Sequence, residues 1–221
     1  MKGFFMPGVL GKIGWLASQP ADFRARIKAS GTWRSYAPQQ VLYEVGEEPS
    51  ALFGLGEGAL DLCVPIQNGE LITVHRAEPG FWIGDSALFA KAPRFVSLIA
   101  AAPSRVFCVP AGALREMVRE EPKYWSSFYE LSHMNVSRAI LEYVQLFTMP
   151  PRERLRRLLI RLGGAEGTAV VTQSELASLL GINRSSVRRA LEELAEAGAI
   201  RTGYRSIHVI DRTAGAVTRN D

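Results

Sequence analysis

The sequence predicts an α+β chain: a strand-rich N-terminal part, one long helix, and a C-terminal winged helix-turn-helix. Three observations carry this. Between Tyr36 and Val109, short apolar runs alternate with turn residues. Residues 123–148 contain neither Gly nor Pro. Residues 172–194 place a capping box, a glycine turn and a second capped helix in succession. The expected parts are 1–121, a β domain with flanking helices; 122–149, the long helix; and 150–221, the helix-turn-helix unit.

The β part comes first. Val41-Leu42-Tyr43, Ala51 to Leu55, Leu60 to Val64, Leu71 to Val74 and Arg105 to Val109 are short apolar runs. They are broken at Gly46, Pro49, Gly56, Gly58, Asn68-Gly69, Pro79-Gly80 and Pro103. Such spacing predicts an antiparallel sandwich or barrel. Asn68-Gly69 suits a two-residue hairpin turn, because both residues tolerate positive φ. Upstream, the apolar stretch from Phe4 to Leu16 is interrupted by Pro7, Lys12 and three glycines, a poor core for a signal peptide. No run reaches the ~18 uninterrupted apolar residues of a spanning helix, so a cytoplasmic chain with no membrane partner is expected. Cys63 and Cys108 fall in apolar runs without metal-ligand spacing, which predicts buried free thiols.

Residues 111–120 read as a short helix. Residues 123–148 then permit a helix of ~26 residues, ~39 Å long at the α-helical rise. Its apolar positions, among them Phe128, Leu131, Met134, Val136, Ile140, Tyr143 and Phe147, cover more than one face. One face can lie on the β domain. The other is either buried within the same subunit or covered by the same helix of a second copy. Met149-Pro150-Pro151 ends the helix and forms a hinge.

Residues 152–162 form an amphipathic helix with Leu155, Leu158, Leu159 and Leu162 on one face, stopped by Gly163-Gly164. Thr172-Gln173-Ser174-Glu175 is a capping box: Thr172 caps the helix start and Glu175 reaches back. Gly181 supplies the sharp turn, and Asn183 caps a second helix from Arg184 to Leu194. Ile182, Val187, Leu191 and Leu194 are placed for the core, which leaves Ser185, Arg188 and Arg189 outward. Helix, tight turn and helix at this spacing is the arrangement that enters a DNA major groove. An Arg on the first turns of such a helix can donate two hydrogen bonds to a guanine edge. Thr172, Ser174 and Ser186 are hydroxyls near helix N-termini, suited to backbone phosphates. Ile200-Arg201-Thr202 and Arg205 to Ile210 form two short strands around a tight turn, a wing with Arg205 at its tip.

Charge placement agrees. Residues 1–149 carry 14 basic and 14 acidic residues, whereas residues 150–221 carry 12 and 8, and all 12 basic residues are Arg. Positive charge collected at one end fits either a polyanionic partner or a solvated Arg-rich surface.

A small β domain, a long helix and a winged helix-turn-helix, in that order, resemble the cyclic-AMP receptor/FNR (Crp/Fnr) family of transcription regulators. The resemblance spans about residues 15–211. It implies a jelly-roll sensor domain resembling cyclic-nucleotide-binding domains, a homodimer, a pseudo-palindromic duplex DNA operator read by helices ~34 Å apart, and RNA polymerase as a further partner. Arg184, Ser185 and Arg189 fall where family members contact bases. Many members carry Glu at the position of Ser185, and serine cannot make that residue's contact to a cytosine amine. The stretch from Pro79 to Phe89, followed by Pro93-Arg94-Phe95, resembles the family's phosphate-binding cassette, with Gly84, Asp85, Ser86, Arg94 and Phe95 at the effector positions. Gly84 and Arg94 match. Asp85 is one methylene shorter than the Glu that reaches a ribose hydroxyl. Phe95 stands where a hydroxyl serves the phosphate; it cannot donate, and it is expected to fill space there. The expectation is a diverged effector domain that does not bind cyclic AMP. Its cassette then closes the barrel, with Arg94 salt-bridged or solvated. Any effector is of unknown identity. A working cassette and a protein-binding adaptor are the alternatives.

No cofactor, metal site or catalytic residue is expected. A metal-dependent cupin needs a His-x-His pair, and His75, His133 and His208 are isolated. His75 ends a strand and is expected half-exposed; His133 is expected to serve packing or a dimer interface; His208 is expected to face outward. No nucleophile-elbow pattern occurs. Arg184, Arg188 and Arg189 argue against an adaptor role, because three guanidinium groups on one short helix are costly in an apolar interface.

Overall fold

The computed structural model describes residues 9–66, 69–164, 166–203 and 206–212. It divides into two compact units, Met1–Ala139 and Ile140–Asp221.

The first unit begins with α1 (Trp15–Ser18) and α2 (Ala21–Ser30), followed by β1 (Thr32–Tyr36), β2 (Val41–Tyr43), β3 (Ala51–Glu57), β4 (Leu60–Pro65), β5 (Leu71–Ala77) and β6 (Trp82–Ile83). A short helix α3 (Asp85–Ala90) precedes β7 (Ser97–Ala100) and β8 (Ser104–Pro110). Helix α4 (Ala111–Glu120), a 3₁₀ turn at Pro122–Tyr124 and the long helix α5 (Trp125–Thr148), whose residues from Ile140 on belong to the second unit, complete the run. The strands form two four-stranded antiparallel sheets in the orders β1-β8-β3-β6 and β2-β7-β4-β5. This is the expected jelly roll. Asn68 of the expected hairpin turn lies outside the described residues.

Strand β8 shows why the sandwich forms. Val106 and Cys108 join Phe53, Leu55, Leu60 and Leu98 in one core cluster. Phe107 and Val109 join Leu52, Trp82 and the helices in another. The period of two sends alternate side chains to opposite faces, and both faces are covered, so the run is apolar throughout. The helical layer on the outer face holds Trp15, Phe23, Leu114, Phe128 and Leu131. Trp15 donates its indole N–H to the Ser127 carbonyl at 2.7 Å, and its ring meets Phe23 and Trp82 edge-on. Leu10, Trp15 and Leu16 of the N-terminal apolar stretch are thus part of the core, while Ile13 between them stays exposed. Gly54 is needed here, since a Cβ would stand 2.7 Å from the Trp82 ring.

His75 differs from expectation. It is buried, with its ring centroid 5.4 Å from that of Phe81. Strand β5 continues two residues past it, and Phe81 returns across the following turn to cover the imidazole. Cys63 and Cys108 are buried free thiols.

The second unit contains α6 (Pro151–Gly163), β9 (Thr168–Val170), α7 (Gln173–Leu180), α8 (Arg184–Glu196), β10 (Ile200–Gly203) and β11 (Ser206–Val209). Its core joins Leu155, Leu158 and Leu159 of α6 to Leu176, Val187, Leu191, Leu194, Ile207 and Val209. The wing hairpin gains β9 as a third strand, in the order β10-β11-β9. Among the described residues no helix is long and apolar enough to cross a membrane.

Candidate nucleic-acid interface and effector cassette

Local chemistry sets the helix-turn-helix. Thr172 Oγ1 accepts from the Glu175 backbone N–H at 3.2 Å, and Glu175 Oε2 accepts from the Thr172 N–H at 2.8 Å. Two orphan donors at the start of α7 are satisfied this way. Gly181 ends the helix with φ +63°, a conformation that L side chains adopt only with strain. Asn183 Oδ1 then accepts from the Ser186 N–H at 2.8 Å and from Ser185 Oγ at 2.7 Å. A contact with no counterpart in the sequence reading braces the turn. Arg154 of α6 donates from Nη1 to the Leu180 carbonyl at 3.0 Å, where the end of α7 carries partial negative charge. The available signal was a polar residue beside the buried Leu155 face.

Helix α8 buries Val187, Ala190, Leu191 and Leu194. Arg184, Ser185, Arg188 and Arg189 are all exposed on the remaining face. Arg188 Nε lies 3.9 Å from Glu192 Oε1, a pair so exposed that it leaves Arg188 largely free. Among the described residues, no carboxylate lies within ion-pair distance of Arg184 or Arg189. Later on α8, Glu192, Glu193 and Glu196 are exposed. The helix is therefore cationic only over its first turns, where its own dipole adds positive potential. Ser174 is exposed, while Ser186 and Thr172 are half-buried. The hydroxyl hydrogens of Thr172 and Ser185 go to Glu175 and Asn183, at 2.8 and 2.7 Å. His208 faces outward beside Thr168. Arg205 lies outside the described residues.

The cassette in the first unit is closed by its own side chains. Gly84 takes φ +117°, and a Cβ there would stand 2.8 Å from Arg94 Nη1 and 2.9 Å from the Ala51 carbonyl. Arg94 is only 3% exposed. Its Nη2 donates to that carbonyl at 2.7 Å, and its guanidinium sits 4.0 Å over the Tyr43 ring. Burial pulls its pKa below the ordinary arginine value, and burial pushes the Tyr43 phenol up to about 12. Arg94 was expected to be salt-bridged or solvated. It is neither, because an aromatic face and a backbone oxygen take the place of a carboxylate and water.

Asp85 is 2% exposed. Its carboxylate accepts a hydrogen bond from Ser132 of α5. Burial raises its pKa, opposed by that hydrogen bond and by backbone N–H groups at the start of α3. Asn135, one turn on, donates to the Trp82 carbonyl at 3.0 Å. Neither Ser132 nor Asn135 was among the expected site residues. Ser86 faces solvent. Phe95 overturns an expectation: it is 67% exposed and fills no space beside Arg94. The chain bends at Phe95 and Val96 just before β7, and Val96 is the neighbour that enters the core.

Residues 33–121 match the family model of the cyclic nucleotide-binding domain, and residues 153–214 match that of the Crp-like helix-turn-helix domain. Transcriptional regulator LdrP of Thermus thermophilus is 26% identical over 196 residues, which cover 82% of this chain and 93% of that protein. The Cyclic AMP receptor protein of Thermus thermophilus is 25% identical over 178 residues, covering 80% and 82%. Among solved structures, FixK2 from Bradyrhizobium japonicum is similar in fold, with a TM-score of 0.71 at 18% identity, covering 82% of this chain and 93% of that one.

Proposed function

The chain belongs to the Crp/Fnr family of transcription regulators, and from that premise we propose a homodimer that reads a pseudo-palindromic operator with α8 and works without cyclic AMP. The exposed cationic face of α8 is the observation that carries the reading. Arg184, Ser185, Arg188 and Arg189 occupy the turns nearest a groove floor, and Arg184 and Arg189 are free to fork onto guanine O6 and N7. Ser174 and Ser186, with the helix N-termini behind them, serve phosphates, as does Arg205; Thr172 would do so only by giving up its hydroxyl bond to Glu175. Glu192, Glu193 and Glu196 would meet phosphates unfavourably, which favours entry by the N-terminal end of α8.

The dimer reading rests on α5, whose Val136, Ile140, Tyr143 and Phe147 are exposed in a single chain. Large apolar side chains in such a row mark a protein contact. The effector reading rests on Arg94 and Asp85. The Asp85 carboxylate and Arg94 Nη2 already hold partners within the protein, which a ribose or phosphate would have to displace, while Arg94 Nε is buried without one. The protein is then a cytoplasmic, non-enzymatic regulator that acts on RNA polymerase from its operator.

Selection from a pool of random duplexes tests this. Enrichment of two inverted half-sites one helical turn apart, with no nucleotide added, is expected. A single unrepeated half-site would count against the dimer, and no enrichment at all would count against the recognition face.

A further inference from the structure

The turn between α7 and α8 is three residues long, Gly181-Ile182-Asn183. The N–H groups of Gly181 and Ile182 donate back to the Ser178 carbonyl at 3.2 Å and the Ala177 carbonyl at 3.1 Å. Those bonds hold the end of α7 to itself. The Leu180 carbonyl belongs to the peptide that leads into Gly181. It is among the last four carbonyls of the helix, which find no partner along the helix. Its hydrogen bond comes from another element, from Arg154 Nη1 of α6 at 3.0 Å.

Below the turn, Leu155 and Leu159 of α6 share one core with Leu176 and Leu180 of α7 and with Val187 and Leu191 of α8. Apolar contacts hold helices together without fixing a direction. A hydrogen bond fixes one, because it weakens steeply off its axis. The peptide that Arg154 holds is the one whose rotation swings α8 against α7. Gly181 has no side chain to resist that rotation, and a Cβ there would meet nothing within 4 Å.

The same arginine carries a cost. Its Nε is buried and, among the described residues, has no hydrogen-bond partner. Stranding a buried donor costs about as much as a hydrogen bond from a charged group returns. A carbonyl at a helix end can bond water instead. Arg154 therefore adds little net stability, and what it supplies is a fixed orientation.

We infer that Arg154 is a positioning residue for base reading: by holding the Leu180 carbonyl it fixes the peptide from which α8 departs, and with it the angle at which Arg184 and Arg189 meet base edges. The inference rests on α8 being the recognition helix, and it adds a specificity determinant outside the side chains that face DNA. An arginine forked onto guanine needs both donors in register, whereas attraction to phosphates falls off gradually with distance. A small rotation of α8 thus costs selectivity before it costs general affinity.

Binding of the full chain to its selected operator and to a scrambled duplex, over a salt series and alongside thermal unfolding, tests this. Arg154→Met keeps the stem and removes both the bond and the stranded Nε. It is expected to melt within a few degrees of the wild type and to lose about tenfold in the ratio of operator to scrambled affinity. Its salt slope should be unchanged, whereas loss of a phosphate contact would reduce that slope by about 1. Arg154→Lys can still donate to Leu180 and should recover most of the ratio. If Arg154→Met keeps the wild-type ratio, or Arg154→Lys does no better than Arg154→Met, the positioning role is overturned and α8 remains the reader. A reduced salt slope makes Arg154 a phosphate contact, and a melting temperature far below the wild type makes its bond a stability contact; either overturns the inference. A wild type that binds both duplexes alike overturns the reading of α8 itself.

Discussion

Ser132 of α5 donates its hydroxyl hydrogen to the carboxylate of Asp85, the first residue of α3, 47 positions away in the chain. With Asn135 on the Trp82 carbonyl, it ties the rim of the cassette to the long helix. The carboxylate that the family resemblance assigns to an effector is thereby used inside the protein.

Asp85 makes stability depend on pH in a defined direction. Its folded-state pKa lies above the ordinary value, so on raising pH the unfolded chain releases the proton first. Stability is therefore lost as pH rises from about 4 through the folded pKa, and no loss remains below about 4. Asp85→Asn keeps an acceptor for Ser132 and removes the buried charge. Urea unfolding should find this variant at least as stable as the wild type near about pH 7, with any gain shrinking toward about pH 4. A variant markedly weaker at neutral pH would mean that the charged hydrogen bond outweighs the desolvation.

Arg94 is predicted to act as a structural residue. Arg94→Ala removes a guanidinium stacked on Tyr43 and bonded to Ala51, and should cost about 2–4 kcal/mol of unfolding free energy. Ligand at about 100 times its dissociation constant would add about 2.7 kcal/mol of stability. No rise in melting temperature is expected with cyclic AMP or cyclic GMP at high concentration. A clear rise that disappears in Arg94→Ala would show the cassette opening to bind.

Base reading should reside in the first turns of α8. Arg184→Ala or Arg189→Ala is expected to cost about 1–3 kcal/mol of operator binding and to relax selectivity at one base pair. Arg205→Ala should weaken binding evenly across sequences and flatten its salt dependence. Fluorescence anisotropy on operator and scrambled duplexes separates the two patterns. Unchanged operator affinity in both helix variants would mean another face meets DNA.

Asn183 serves two hydrogen bonds at the start of α8. Asn183→Ala should lower stability by about 1 kcal/mol. It also frees the Ser185 hydroxyl, so operator selectivity should shift while the serine itself is unchanged. Thermal unfolding and duplex competition, run together, would reveal a cap whose loss affects neither.

The features legible in the sequence are those whose partners lie within one helical turn. Thr172 and Glu175 are three residues apart, as are Asn183 and Ser186, so their geometry follows from spacing. The double-sided burial of β8 was legible as an unbroken apolar run. Strands β1 and β9 escaped notice: Thr32–Tyr36 is largely exposed, and Thr168–Val170 is only three residues long. For these, pairing with β8 and β11 decides the conformation, and no local pattern announces it.

By itself, the sequence determined the order of the parts, the helix-turn-helix with its caps, and which side chains of α8 face outward. Tertiary structure alone decided that His75 lies under Phe81, that Phe95 turns to solvent, that Arg94 stacks on Tyr43, and that Asp85 meets Ser132. The physical reason is range. Capping, turn strain and side-chain periodicity are contests among neighbouring residues, and the chain settles them wherever it goes. The direction of a loop side chain, or the partner of a buried charge, depends on which distant segment arrives to exclude water from it. Only the packed molecule brings those segments together.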